Sequence, residues 1–535
     1  MKITFVGAAH EVTGSCHYIE VAGKHILVDY GMEQGINIYE NVPLPVEEAM
    51  IDYVLLTHAH IDHSGLLPLL YSKGFRGEIY ATEATVDLCS IMLRDSAHIQ
   101  MSEAEWRNRK AKRSSDISEF VPLYNMEDAD GAIRSLVPVK YGEKHRICDE
   151  LSVRFTDVGH LLGSAAIEAW FTEDGVTRKV VFSGDIGNDN MPLIRDFQTI
   201  DEADYVLCES TYGDRLHTKG RVDYSGALAE IIRDTFAKGG NVVIPSFAVG
   251  RTQEILFYIR QIKQKHLLDD LGDFPVYVDS PLAVEATGVF NKNVSSCFSD
   301  EAMELVKQGI NPLMFTGLNL SITSDESKAI NFDNEPKVII SASGMCEAGR
   351  IRHHLKHNLW RDECTILFVG YQAVGTLGRS IVEGAKEVRL FGETIEVRAK
   401  IMKLEGVSGH ADKGGLTRWM LGFRNEPKMV FVVHGEDTIT EVFADYLHDE
   451  HGFNTYAPFS GTVYDLIADE IVEETAGIRI EGARKKARAA STVFERLLAA
   501  GQRLLAVIGH NEGGANKDLA KFADQINSLC DKWDR

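Results

Sequence analysis

No Cys-x-x-Cys pair occurs among the eight cysteines, which lie scattered at positions 16, 89, 148, 208, 297, 346, 364 and 530. Such spacing argues against a cysteine zinc site or a disulfide framework, and for reduced thiols in a cytoplasm. Long apolar runs are missing too: none reaches the roughly 18 residues of a membrane span. The opening Met1-Lys-Ile-Thr-Phe-Val-Gly7 reads as a short strand running into glycine, without the apolar stretch and cleavage site of a signal peptide. Positive charge is scarce. Lys and Arg number 56 against 79 Asp and Glu, a formal net charge of −23, whereas a general nucleic-acid-coating protein is basic. Any polyanionic substrate must therefore be held by local groups: metal ions, helix N-termini and a few arginines. Two short basic runs, residues 107–113 and 484–488, read first as solvated helix faces.

What is present is ordinary globular material. The 535 residues are 44% hydrophobic and 25% charged, and that length predicts two or three domains. Residues 1–30 read as three short strands with turns at Gly14 and Gly23. Further on, strands alternate with helical segments, as at 77–81 then 83–93, which predicts sheets sandwiched between helices. Residues 95–135 are polar and helix-like, a covering excursion. From about 210 to 395 the strand–helix units lengthen, with apolar strands at 240–246, 274–279, 336–341 and 364–370. Helices are expected after each, including ones from Arg251, about Cys346 and about Thr376. Repeats of this kind give a parallel, doubly wound sheet. Short strands return after 400. From about 465 the chain reads as helical: Val493, Leu497, Leu498, Leu504, Leu505 and Ile508 follow helical spacing, as do Leu519, Phe522, Ile526 and Leu529.

The most informative stretch is Thr57-His-Ala-His-Ile-Asp-His63. It sets His58, His60, Asp62 and His63 directly after the apolar run Tyr53-Val-Leu-Leu56. A strand feeding three imidazoles and a carboxylate into one turn is a metal cradle, suited to zinc or a neighbouring first-row metal. Without metal, such a buried cluster would leave several polar groups unpaired, at roughly 1–3 kcal/mol each. Two close metal ions need about six or seven ligands and a bridging anion, more than this run supplies. Alternation around the turn puts His58 and His60 on one ion and Asp62 and His63 on the other. The remaining candidates are His160 in Asp157-Val-Gly-His160, Asp185 in Ser183-Gly-Asp-Ile-Gly187, and His434 in Val433-His-Gly-Glu436. Each ends an apolar run beside glycine, where backbone can approach a crowded site. Asp185 taken alone also reads as a turn residue. Asp29, in Val28-Asp-Tyr-Gly31, is either a turn residue or an acceptor orienting a ligand imidazole.

In order, strand context and approximate spacing, Asp29, the 58–63 run, His160 and Asp185 together resemble the metallo-β-lactamase superfamily. The resemblance implies an αββα sandwich with metals at the sheet edges. It implies His58, His60 and His160 on one zinc, Asp62 and His63 on the other, and Asp185 bridging. The strand–helix insertion resembles the β-CASP domain, whose subfamily processes nucleic acids. Leu207-Cys-Glu-Ser-Thr-Tyr-Gly213 matches the acidic motif at the domain junction, with Glu209 as its acid. Val407-Ser-Gly-His-Ala-Asp412 matches the following motif, with His410, and Val433-His-Gly-Glu436 the last, with His434 on the second zinc. Gly7-Ala-Ala-His-Glu-Val-Thr-Gly-Ser-Cys16 and Ser341-Ala-Ser-Gly-Met345 add to the likeness. It is greatest to the endonuclease subunit of the pre-mRNA cleavage and polyadenylation factor and its prokaryotic relatives, and spans residues 1–460. DNA-acting β-CASP nucleases usually carry an apolar residue in place of the last histidine, so His434 favours RNA. Archaeal members often begin with RNA-binding KH domains, which this chain is expected to lack.

The expected architecture is α/β. Residues 1–209 form the first part of the metallo-β-lactamase domain, 210–396 the inserted β-CASP domain, 397–464 the return segment and 465–535 a helical extension. That extension packs on its own sandwich or, alternatively, forms a homodimer. The expected chemistry is hydrolysis of RNA phosphodiester bonds, endonucleolytic or 5′-exonucleolytic, by a hydroxide activated by two Zn2+, with Mn2+ as the alternative metal. Asp62, Asp185, Glu209 and His410 are the catalytic candidates. His410 protonates the leaving ribose oxygen, and Glu209 holds its other nitrogen. Ser343, Thr376 and Arg379, where strands run into small polar residues before a helix, are candidate contacts to the RNA backbone; helix caps and tight turns are the other reading. Rival readings are a hydrolase of a small ester or thioester and a non-catalytic RNA-binding subunit.

Overall fold

Two sheets meet face to face because their strands alternate apolar side chains inward. The computed structural model describes all residues except 36, 114–119, 218–222, 374, 405–407, 481–500, 502–503, 506, 509–515 and 534–535. The first sheet contains β1 (Lys2–Gly7), β2 (Cys16–Val21), β3 (Lys24–Val28), β4 (Tyr53–Leu55), β5 (Glu78–Thr82), β6 (Leu136–Val139), β22 (Val463–Asp465) and β23 (Glu470–Glu473). Their order is β23-β22-β1-β2-β3-β4-β5-β6. The second sheet contains β7 (His145–Arg146), β8 (Leu151–Asp157), β9 (Ala165–Glu173), β10 (Val176–Phe182), β11 (Tyr205–Glu209), β20 (Met429–Val433) and β21 (Thr455–Tyr456). Its order is β21-β20-β11-β10-β9-β8-β7. Ile3, Phe5, Ile19 and Val28 from the first sheet pack against Phe155, Ile167, Phe182 and Phe431 from the second.

Helices cover both outer faces. Leu67–Ser72, Glu83–Arg113 and Met126–Arg134 bury Leu70, Leu88, Leu93 and Ala129 with Val54 and Ile79 of the first sheet. Lys413–Met420 and Asp437–His451 bury Leu416, Trp419, Phe443 and Leu447 with Val181, Val206 and Val432 of the second. The polar excursion is thus a cover, as expected, and part of it packs as core.

The insertion carries β12 (Val242–Pro245), β13 (Val276–Asp279), β14 (Leu318–Ser321), β15 (Val338–Ser341), β16 (Thr365–Phe368) and β19 (Lys400–Lys403) in the order β14-β13-β15-β12-β16-β19. Every pairing in this sheet is parallel. A separate antiparallel hairpin, β17 (Glu387–Leu390) with β18 (Glu393–Glu396), precedes its last strand.

Three boundaries differ from expectation. β19 pairs with β16, so the inserted sheet runs past residue 396 to Lys403. The sequence around 400 is too polar for its parallel partner to be read from pattern alone. The segment after 465 does not start as helix: β22 pairs with β1 and β23 with β22, extending the first sheet to Glu473. The helix after β15 starts at Ile351 rather than about Cys346, because residues 342–350 form a loop. Helix Asn516–Trp533 holds the expected Leu519, Phe522, Ile526 and Leu529, whereas Val493, Leu497, Leu498 and the basic run 484–488 lie outside the described residues. All eight cysteines are free thiols. No helix among the described residues is long and apolar enough to cross a membrane.

Candidate metal centre

Parallel strands gather the site. β3 and β4 pair in parallel, as do β10 with β11 and β11 with β20. Their C-terminal ends release Asp29, the 57–63 run, Asp185, Glu209 and His434 on one edge, where parallel α/β sheets place ligands. Two of these turns need unusual backbone: Asp29 and His434 have φ of 60° and 52°. Gly31 allows closure of another, since a Cβ there would sit 1.6 Å from the carbonyl oxygen of Asp62.

The chain segments deliver two converging groups. In the first, His58, His60, His160 and Asp185 each offer a ligand atom, all within 4.8 Å of one another. In the second, Asp62, His63 and His434 do the same. Asp185 faces both groups. Its Oδ2 is 3.5 Å from His58 Nε2 and 3.5 Å from His160 Nε2, while Oδ1 is 3.3 Å from His63 Nε2 and 3.5 Å from His434 Nε2.

Outer partners orient the imidazoles. His63 Nδ1 donates to Asp29 Oδ2 at 2.7 Å. His58 Nδ1 lies 3.1 Å from the Thr57 hydroxyl, which itself donates to Asp29. His160 Nδ1 donates to the carbonyl of Gly409 at 3.1 Å, and His434 Nδ1 lies 3.3 Å from the Thr211 hydroxyl. With Nδ1 turned to these outer partners in each, it is Nε2 that faces inward and, in the neutral ring, offers the lone pair. Asp29 is therefore the orienting acceptor, and the Thr57 hydroxyl is a partner that the sequence reading passed over although it opens the motif.

The inward nitrogens crowd one another: His58 Nε2 to His60 Nδ1 is 3.1 Å, His160 Nε2 to His60 Nδ1 3.2 Å, and His63 Nε2 to His434 Nε2 3.0 Å. Asp185 Oδ1 is buried and makes no hydrogen bond. Lone pairs converging on one another and on an unpaired carboxylate oxygen are the donor set of a divalent cation, so the residues fit metal. Burial lowers the pKa of His58, of His60 to about 4 and of His160 to about 3, which keeps these rings neutral. Against burial, His434 and His63 hold Asp185 well below the usual carboxylate range. Burial also opposes charge on His63, but Asp185 and Asp29 outweigh it and raise that ring well above its usual range. The same attraction would act on a cation there.

Beside the first group, His410 Nδ1 lies 3.3 Å from both oxygens of Glu209, and its Nε2 is 3.9 Å from Asp185 Oδ2. Burial lowers its basicity, but the charges of Glu209 and Asp185 outweigh it and raise the pKa to about 9. Glu209 is itself fixed, accepting from Ile186 N at 2.5 Å and Thr211 N at 3.3 Å. The loop carrying His410 docks on the Asp185 turn through Ala411 N to Ile186 O, 2.8 Å. Tyr212, unremarked in the sequence reading, sets its ring edge-on to His410 at 6.0 Å. His10 was likewise missed; it donates to Asp437 at 3.0 Å and so braces the turn that follows His434.

The three candidate phosphate contacts lie apart from this cluster, in the inserted domain. The Thr376 hydroxyl caps helix Leu377–Val382 by accepting from Arg379 N at 3.2 Å. Arg379 Nε donates to Glu383 at 2.6 Å, and Ser343 Oγ bonds to Ala348 O at 3.3 Å. Each thus has a local partner, the capping and turn roles weighed as the other reading.

Three parts of the chain match known families. Residues 18–195 match the metallo-beta-lactamase superfamily domain, 252–381 the Beta-Casp domain, and 394–458 the Zn-dependent metallo-hydrolase RNA specificity domain. Ribonuclease TTHA0252 of Thermus thermophilus is 40% identical over 82% of this chain and 94% of its own. An RNase J-like protein of Methanocaldococcus jannaschii is 32% identical over 87% of this chain and 99% of its own. Transcription termination factor FttA of Pyrococcus abyssi is 29% identical over 86% of this chain and 70% of its own. With the two-group site, the sandwich and its parallel insertion, these matches establish that the chain belongs to the β-CASP branch of the metallo-β-lactamase superfamily of metal-dependent hydrolases.

Proposed function

We propose that this protein hydrolyses RNA phosphodiester bonds with two bound divalent cations, zinc foremost. The relatives carry ribonuclease names, and the RNA specificity domain is matched here. The observation that carries the two-cation reading is Asp185, which turns one oxygen to each imidazole group. His58, His60 and His160 would hold the first cation, Asp62, His63 and His434 the second, and Asp185 both. Bound there, the cations would supply Lewis-acid activation of water and neutralise charge on the scissile phosphate.

The chain's own groups do the rest. His410, with its pKa raised to about 9, holds a proton at neutral pH within reach of the cleft. It donates that proton to the departing ribose oxygen, while Glu209 keeps the ring charged and turned inward. Asp29 and Thr57 keep His58 and His63 in the inward-facing tautomer. Ser343, Thr376 and Arg379 would steady the RNA backbone farther out. Location in a reducing cytoplasm fits eight free thiols.

The test is a time course on single-stranded RNA labelled at either end, with metal stripped and then restored. Zinc-dependent cleavage is expected. Internal products from both labels identify endonuclease action, and release of 5′ mononucleotides identifies exonuclease action. Intact RNA alongside turnover of esters or thioesters would overturn the reading.

A further inference from the structure

Resting on that reading and extending it, we propose that Phe247 and Tyr371 form a two-ring platform on which bases of single-stranded RNA stack beside the metal centre. Phe247 follows β12 and Tyr371 follows β16, neighbouring strands of the inserted sheet. The two side chains are 44% and 52% exposed. A lone exposed aromatic is ordinary on a protein surface; the construction around this pair is not.

Three loops carry the Phe247 ring. A Cβ on Gly344 would lie 3.1 Å from its Cδ2 and 3.2 Å from its Cε2, and a Cβ on Gly370 3.8 Å from Cε2. The ring therefore rests on glycine backbone, with Tyr371 next along the chain. The buried amide of Gln372 ties the surface together, donating to the carbonyls of Gly344 at 3.0 Å, Gly370 at 3.3 Å and Tyr371 at 3.0 Å. Thr252 pins the other side by donating through its hydroxyl to the Phe247 carbonyl at 2.7 Å.

The loop that carries Phe247 reaches the segment of His160. Gly250, three residues after Phe247, comes within 3.2 Å of Leu161 measured from its would-be Cβ, and Leu161 follows His160. On the other flank lies Tyr212, whose pKa is raised chiefly by burial and to a lesser extent by the Tyr371 phenol, and whose ring centroid is 6.0 Å from that of His410. Uncharged rings read the face of any base and no base edge, so the grip is sequence-tolerant. It also suits a chain of net charge −23, because stacking needs no excess of cations.

The test measures binding of a single-stranded RNA, made cleavage-resistant by phosphorothioate linkages, to the zinc-loaded protein across a salt series. Phe247→Ala and Tyr371→Ala should each weaken binding on the order of tenfold and leave the slope of log Kd against log salt unchanged, since no phosphate contact is lost. Phe247→Trp should retain affinity. The same strand with abasic sites should bind wild type poorly and no longer distinguish the alanine variants. Alanine variants binding as tightly as wild type, an equal loss on abasic RNA, a changed salt slope, or a Phe247→Trp loss matching Phe247→Ala would each overturn the platform. If wild type cuts RNA and these results appear, the platform alone is wrong; if wild type neither binds nor cuts RNA, the functional reading falls with it.

Discussion

The Nε2 atoms of His63 and His434 lie 3.0 Å apart, although 371 residues separate them in the chain. The entire β-CASP insertion folds between these two residues, so the second metal group closes only when both parts of the sandwich are in place. Removing His434 should therefore leave the first group standing. His434→Ala is expected to lose one of two bound zinc ions by elemental analysis and to cut RNA at least about a hundredfold more slowly. Full zinc content with wild-type rate would exclude His434 as a ligand.

Asp29 accepts from His63 Nδ1 at 2.7 Å and from Thr57 N at 2.8 Å. Asp29→Asn exchanges an anionic acceptor for a neutral amide and lets the His63 ring change tautomer. Metal affinity should fall by roughly 10- to 100-fold, read by competition with a zinc chelator, while circular dichroism stays that of wild type.

A proton donor matters most when the leaving group is poor. His410→Ala and Glu209→Gln should lower kcat on RNA by about 10²–10⁴-fold. On a p-nitrophenyl phosphodiester, whose phenolate leaves without a proton, the loss should be far smaller. Equal losses on both substrates would assign His410 to binding or folding instead.

Stability should depend on pH through Asp157, which lies at the end of β8. Burial raises its pKa from 3.8 to about 7, against the opposing pull of the Gly159 N–H and the Arg195 charge. A carboxyl raised in the fold contributes its full stability below the unfolded value and loses it as pH climbs through the folded value. Stability from this group should thus decline between about pH 4 and pH 7. Asp157→Asn, which never ionises, should melt above wild type at pH 8 and close to it at pH 4. Parallel melting curves at both pH values would show that Asp157 ionises freely.

Much of the site was legible in the chain because ligand chemistry is local. Three imidazoles and a carboxylate within residues 58–63 have few other uses after a buried strand. His160, Asp185 and His434 were legible by the same logic, as strand-end residues beside glycine. Thr57, Tyr212 and the His10–Asp437 pair were not, since a hydroxyl or a phenol near a motif has many uses and only the fold selects one. The phosphate candidates show the converse. Thr376 before helix Leu377–Val382 reads from sequence either as an anion grip or as a cap, and only the fold shows its hydroxyl accepting from Arg379 N as that helix's cap.

By itself the sequence determined the α/β class, the inserted parallel sheet and the residue types at the metal centre, because apolar periodicity and metal-ligand chemistry are written in short windows. Only the tertiary structure decided that Asp185 divides its oxygens between two groups, that β19 belongs to the inserted sheet and that β22 and β23 complete the first. Those relations join segments far apart in the chain, and their partners are chosen by packing and backbone hydrogen bonding that no local pattern encodes.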